Sequence, residues 1–287
     1  MSFFLSCSFS SKNFQNTKFS KKSKQRDIVL PKFIPTNTKS ILFINYKYIP
    51  TKIKKVLSKI ELLKFPNNNY SADKLVLFWE SPKKIKKNAA IFWFSKVNFK
   101  LKYPNQQNFR KKIIYLLKNG YAITQIKPNM FYINKEYKVK MATDIISKQA
   151  PPSHPITLFK LITTSFKQDT AVYYVISSLN LIFNNKLYPD KAGMFVRFPY
   201  GWIVVKIILY FDTPRKADDF VNYIQKAIFR FYANPILKEL PWKEIITPLT
   251  VHSEGKNVYL QWNTKLPRFY SVLNKLNLFL EKRKNVK

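Results

Sequence analysis

Apolar and polar residues alternate along several short stretches of this 287-residue chain, and that alternation predicts many of its elements. Val97, Phe99, Leu101 and Tyr103 take turns with Asn98, Lys100 and Lys102, so 91–103 is expected to be a half-buried strand. Runs rich in β-branched and aromatic residues predict further strands at 123–126, 130–133, 137–141, 171–176, 194–198, 202–211 and 258–262. Elsewhere the period is helical. Ser71 is placed to cap a helix to about residue 87, with a break or kink where Pro82 intervenes. Phe109, Ile113, Leu116 and Leu117 share one face of a helix over 105–119, which Gly120 would end. Another helix is expected around 156–166. Thr213 and Pro214 open a helix to about residue 232, striped by Phe220, Ile224, Ala227, Ile228 and Phe231. A basic helix over 268–282 ends the pattern.

Proline and asparagine divide these elements into groups. Pro31, Pro35 and Pro50 interrupt the start of the chain, and Asn67, Asn68 and Asn69 follow Pro66 as a natural boundary. Residues 1–69 are therefore read as a basic extension with little core of its own. Pro151, Pro152 and Pro155 mark a link after a subdomain at 70–148. A second subdomain follows at 149–200, then a strand–helix–strand–helix appendage at 201–287. The class is α+β, and no repeat of fixed period is present.

Composition adds a partner to this outline. Lys and Arg number 51 against 15 acids, a formal charge of +36, while 46% of residues are apolar and 16% aromatic. Such a chain folds, yet its like charges repel unless a polyanion neutralises them. Nucleic acid is the usual polyanion. Lys, Asn, Ile, Phe and Tyr have A/T-rich codons and glycines number four, which points to an AT-rich, organelle-like genome. Codon drift raises lysine without suppressing Asp and Glu so far. The first 26 residues carry six bases and no acid, fitting an organelle-targeting segment or an arm that threads into RNA.

Enzyme chemistry finds little support. Cys7 is the single cysteine, and His154 and His252 stand far apart, so neither a disulfide framework nor a transition-metal site is expected. There is no phosphate-cradling glycine loop, no dinucleotide fingerprint and no nucleophile elbow, and nothing calls for a cofactor. Asp218 and Asp219 suit a helix start, Asp144 and Asp190 are isolated, and His252, Ser253 and Glu254 read as a turn. The longest apolar run, 202–211, is about half a bilayer span and contains Lys206, so no membrane span is expected. Basic clusters carry the chemistry instead. Lys83, Lys84, Lys86 and Lys87, with Asn88, close the first helix; Arg110, Lys111 and Lys112 lie opposite the stripe of the second. One such cluster is as consistent with a solvated face as with a ligand, but several with so few acids favour phosphate contacts. No aromatic is nominated to stack on bases.

Ile85-Lys86-Lys87-Asn88-Ala89, a strand ending at Pro104, and Leu116-Leu117-Lys118-Asn119-Gly120-Tyr121-Ala122-Ile123 follow one another in a familiar order. This segment resembles the N-terminal half of the ribosomal protein eight family of the bacterial-type small subunit. Ile145-Ile146-Ser147-Lys148 before prolines is similar to that family's Ile-Ser-Lys-Pro stretch. Tyr174-Val175-Ile176-Ser177-Ser178 looks like its strand into a serine-rich loop, and Asp190-Lys191-Ala192 like the turn beyond. The loop glycine is missing, with Leu179 and Asn180 in its place, and the likeness covers only about 70–200.

The resemblance implies a two-part ribosomal-protein-like core, with the N-terminal arm and C-terminal appendage as additions. It implies a non-enzymatic constituent of an organellar ribosome in the mitochondrial matrix, its partners ribosomal RNA and neighbouring ribosomal proteins. Lys83, Lys84, Lys86, Lys87, Asn88, Arg110, Lys111, Lys112, Ser147, Lys148, Ser177 and Ser178 would touch RNA. Ser177 and Ser178 would hydrogen-bond sugar and phosphate oxygens. Two other readings stay open: a nucleic-acid-acting enzyme, which needs paired carboxylates, and an accessory subunit of an organellar membrane complex, which needs a basic amphipathic helix.

Overall fold

Twelve strands hydrogen-bond side by side into one antiparallel sheet, in the order β11-β12-β10-β9-β8-β1-β2-β3-β7-β6-β5-β4. The computed structural model describes residues 34–35, 37–58, 65, 72–80, 89–94, 101, 103–117, 120–151, 169–177, 189–233, 249–271 and 274. The strands are β1 Ser40–Asn45, β2 Lys74–Trp79, β3 Ala89–Trp93, β4 Gln106–Phe109, β5 Lys112–Leu116 and β6 Tyr121–Lys127. They continue with β7 Met130–Lys135, β8 Thr170–Ser177, β9 Lys191–Arg197, β10 Trp202–Tyr210, β11 Leu249–Glu254 and β12 Asn257–Lys265. The helices include α1 Thr51–Leu57, α2 Glu136–Ile146 and α3 Pro214–Ala233. The fold is thus α+β, dominated by sheet.

Apolar side chains fill both faces at the middle of the sheet. On one face Ile41, Phe43, Val76, Phe78, Ile91, Tyr132, Tyr173 and Val175 form a buried cluster, joined at β5–β7 by Val139 and Ala142 of α2. On the other, Ile44, Leu75, Leu77, Phe92, Phe131 and Ile133 pack with Ile49 and Phe65, flanked by Ile53 and Leu57 of α1. A third cluster seats Ala217 and Val221 of α3 on Leu209, Phe211 and Val258, on that second face. The two longer helices therefore cover opposite faces at opposite ends of the sheet.

The strands predicted at 123–126, 130–133, 171–176, 194–198, 202–211 and 258–262 correspond to β6, β7, β8, β9, β10 and β12. α3 also stands where predicted, and the Lys216 N–H donates to Thr213 Oγ1 at 3.3 Å as the cap requires. The final helix is described at 266–271. Of the strand predicted at 91–103, residues 91–93 lie in β3 while 94, 101 and 103 are in no strand; its remaining residues and the predicted helix at 156–166 lie outside the described residues.

Four elements differ from expectation. Residues 74–79 are β2 where 71–87 suggested a helix: five consecutive side chains are buried, because both faces of this strand are covered. A doubly buried strand loses the alternation that advertises it. Within the predicted helix 105–119, residues 106–116 form the β4–β5 hairpin, because Phe109 and Leu116 meet the core from paired strands while Ile113 is left exposed. Residues 137–141 are helical rather than a strand. Val139, Ala142 and Thr143 are buried on one face of α2, and Tyr137 and Met141 point outward, 55% and 59% exposed. His252, Ser253 and Glu254 belong to β11, and the turn lies one step on, at Gly255 and Lys256.

The extension 1–69 supplies β1, which lies between β2 and β8. β9 and β10 pair through seven residue partners across position 200, so the C-terminal strands continue the same sheet. Among the described residues no helix is long and apolar enough to cross a membrane.

Ile41 is fully buried on β1. Ile41→Ala should lower unfolding free energy by about 3 kcal/mol, whereas Ile113→Ala should cost less than about 1. Chemical denaturation compares the two, and equal costs would deny β1 its central place. Burial pushes Tyr46 up to about 12. Folded Tyr46 therefore stays protonated where the unfolded chain ionises, and stability should decline as pH rises from about 10 towards 12. Denaturation midpoints across that range test the sign.

Candidate nucleic-acid interface

A two-residue turn, Arg110-Lys111, joins β4 to β5, with Phe109 paired to Lys112. Both turn residues are left-handed, at φ 51° and 61°. Such turns match the twist of a hairpin and ordinarily recruit Asn or Gly. Placing two cations there costs about 1 kcal/mol each. A third left-handed cation follows α2. Lys148, at φ 58°, ends the helix in a Schellman motif: its N–H donates to the Ile145 carbonyl at 3.1 Å and the Gln149 N–H to that of Asp144 at 2.8 Å.

Side chains bring these two strained points together. Arg110 Nε donates to Asp144 Oδ1 at 2.9 Å, fixing the hairpin turn against the last turn of α2. Gln107 Nε2 donates to Glu136 Oε1 at 2.8 Å and Lys140 Nζ lies 2.7 Å from that same oxygen, so the hairpin is fastened along the helix. Hydrogen bonds from Lys140 and Gln107 hold the Glu136 carboxyl below its ordinary range. Phe109 sits between cations, with the Arg110 guanidinium 5.5 Å and Lys140 Nζ 5.9 Å from its ring centre. On the far side of α2, Lys138 pairs with Glu80 and burial lowers its pKa.

The result is a basic knuckle. Lys111 and Lys148 are exposed, and among the described residues no ion pair engages them, nor Lys112. Carbonyl groups at the end of α2 add negative potential that favours cations there. Chemically the knuckle offers ammonium and guanidinium donors on a braced scaffold, suited to phosphate oxygens. Among the described residues no group of three or more His, Cys, Asp or Glu side chains gathers to hold a metal.

Of the residues nominated from sequence, the fold unites Arg110, Lys111, Ser147 and Lys148 beside Lys112. Arg110, Lys111 and Lys112 lie on a hairpin rather than on a helix. Ser177 ends β8, six strand spacings from β5, or about 29 Å. Its Oγ donates to the Lys39 carbonyl at 3.1 Å, so its proton is used within the sheet. Lys83, Lys84, Lys86, Lys87, Asn88 and Ser178 lie outside the described residues. Sequence reading missed Phe109 and Lys140 as members, and treated Asp144 as isolated. Arg110 and Asp144 are 34 positions apart and carry no local signal of their pairing.

No family model matches this chain, and no curated protein matches it. Solved structures do match, among them two crystal forms of one protein. Crystal form I of TP0453 aligns with a TM-score of 0.50 at 11% identity, covering 87% of this chain and 98% of that one. Crystal form III gives 0.51 at 10% identity, covering 85% and 96%. This is a likeness of fold.

Lys111→Gly with Lys148→Gly separates stability from binding. Relief of the left-handed strain should raise stability by about 0.5–1 kcal/mol at each site. The same pair should weaken RNA binding and lower the log–log salt slope by about 2. Unchanged affinity would remove both lysines from the interface.

Proposed function

We propose that this chain is a structural RNA-binding protein, a constituent of an organellar, mitochondrial ribosome that grips small-subunit RNA through phosphate contacts. The supporting observation is the imbalance of 51 bases over 15 acids on a chain with a packed core. Five ion pairs are present among the described residues, so most described bases remain available to an external anion. The knuckle of Arg110, Lys111, Lys112, Ser147 and Lys148 is one contact surface in this reading, and Lys83, Lys84, Lys86 and Lys87 supply another.

The likeness to ribosomal protein eight is what supports a ribosome as the assembly in this reading. Residues 106–116 are a strand hairpin where that family has a helix, so the likeness rests on the segments around Ile85–Ala89, Ile145–Lys148 and Tyr174–Ser178. The charge argument is independent of it. Binding would release counterions from RNA, and the cations would bend no chemistry: the protein would position RNA and neutralise it.

Replacing Lys83, Lys84, Lys86 and Lys87 together should flatten the salt dependence of RNA binding by about 3–4 in log–log slope. In a sucrose gradient of organelle lysate the native protein should travel with the small ribosomal subunit and leave that position when Mg²⁺ is chelated. Sedimentation as a free protein, or with a membrane complex, would reject the ribosomal reading.

A further inference from the structure

Directly paired residues of antiparallel strands share a face. On the face of the sheet opposite α3, the registers of β9–β12 line up a surface that alternation alone did not reveal. Trp202 pairs with Lys265, Lys206 with Gln261, and Ile208 with Tyr259, which in turn pairs with His252. Lys265 Nζ lies 5.9 Å from the Trp202 ring, and Lys206 Nζ lies 5.0 Å from that of Tyr259. His252 stacks on Tyr259 with centroids 5.2 Å apart and planes at 19°. Trp202 is 42% exposed, and Thr250 and His252 on the outermost strand are exposed too.

From this arrangement we propose that the β10–β12–β11 face binds unpaired RNA, stacking bases on Trp202 and on the His252–Tyr259 pair. The inference rests on the RNA reading and narrows it to single strands. Every base has a flat π-face, so rings separated by cations make a platform that accepts any sequence and tracks the backbone between stacks. Six residues of β10 separate Trp202 from the level of Tyr259, about 20 Å. Lys206 lies between them and Lys265 at one end, where phosphates linking the stacked bases would pass. Gln261 pairs with Lys206 and offers its amide to base edges, while the Thr250 hydroxyl beyond it donates to the Gln261 carbonyl at 3.3 Å. Glu254, exposed at the far end of β11, bounds the platform by repelling phosphate. A duplex keeps its bases stacked inside and has no use for these rings, so the face discriminates single strands from paired RNA.

The test uses the full chain with two probes, an unstructured mixed-sequence oligoribonucleotide and a fully paired RNA duplex. His252→Ala with Trp202→Leu alters two exposed side chains. It should weaken single-strand binding about tenfold or more while leaving duplex affinity within about twofold and the salt slope unchanged. Trp202→Phe retains a ring and should bind as the native protein does. Oligonucleotides carrying 4-thiouridine should crosslink to β10, β11 or β12 peptides of the unaltered chain, a readout independent of how the variants fold. Equal loss for both probes, no loss for either, or crosslinks confined to other segments would overturn the platform. Failure of the native protein to bind either RNA would overturn the RNA reading and the platform with it.

Discussion

Burial on both faces of the central strands is the constraint on which this structure depends. β1, β2 and β3 present almost no side chain to water: Ile41, Leu75, Val76, Leu77 and Ile91 are fully buried. A strand of this kind must be covered above and below, and α1 and Phe65 supply part of that cover on one face. β1 also joins the two arms of the sheet, since β2 pairs with one edge and β8 with the other. Without it the N-terminal and C-terminal strands would be two sheets, each with a new bare edge.

Against so strong a positive charge, the scarce acids hold particular places. Asp144, Glu136 and Glu80 each pair with a base, and all three pairs involve α2. The Asp144 pair anchors the helix to the β4–β5 hairpin and the Glu80 pair to the end of β2, while Glu136 and Lys140 pair within the helix. Exposed ion pairs contribute little stability singly. Here they orient a helix whose apolar face already seats it, and fix how the neighbouring cations are presented. The electrostatics of the knuckle are thus a product of packing: its bases gather because Phe109, Val139 and Ala142 share one core.

Left-handed lysine and arginine at the two turns show a second trade-off. With four glycines in the chain, the positions that most favour glycine are partly filled by cations instead. Tyr200, at φ 44° before Gly201 and 96% exposed, repeats the pattern with an aromatic ring at the β9–β10 turn. Each such residue is strained locally and held by its surroundings: Arg110 by Asp144, Lys148 by the closing bonds of α2, and the Tyr200 turn by the bond from the Trp202 N–H to the Pro199 carbonyl. Side chains at these points project from tight turns, away from the body of the sheet.

Sequence alone determined the elements with one wet face or a clear cap. α3 is announced by Thr213, Pro214 and its stripe; β10 and β12 by β-branched and aromatic runs; and β6–β7 by two such runs about a turn apart. It also determined the excess of charge and the basic clusters at 83–87 and 110–112. It did not determine β1 or β2, because a strand buried on both sides shows no alternation, nor the choice between hairpin at 106–116 and helix at 136–146. Both stretches carry apolar residues at spacings that either structure satisfies locally, and only contact with distant strands decides which face is buried. The sites follow the same rule. Lys111 and Lys148 were visible as bases, but their meeting depends on Arg110 reaching Asp144. Likewise Trp202, Lys206, His252 and Tyr259 became one surface only through strand register, since pairing between strands distant in sequence sets which side chains stand together.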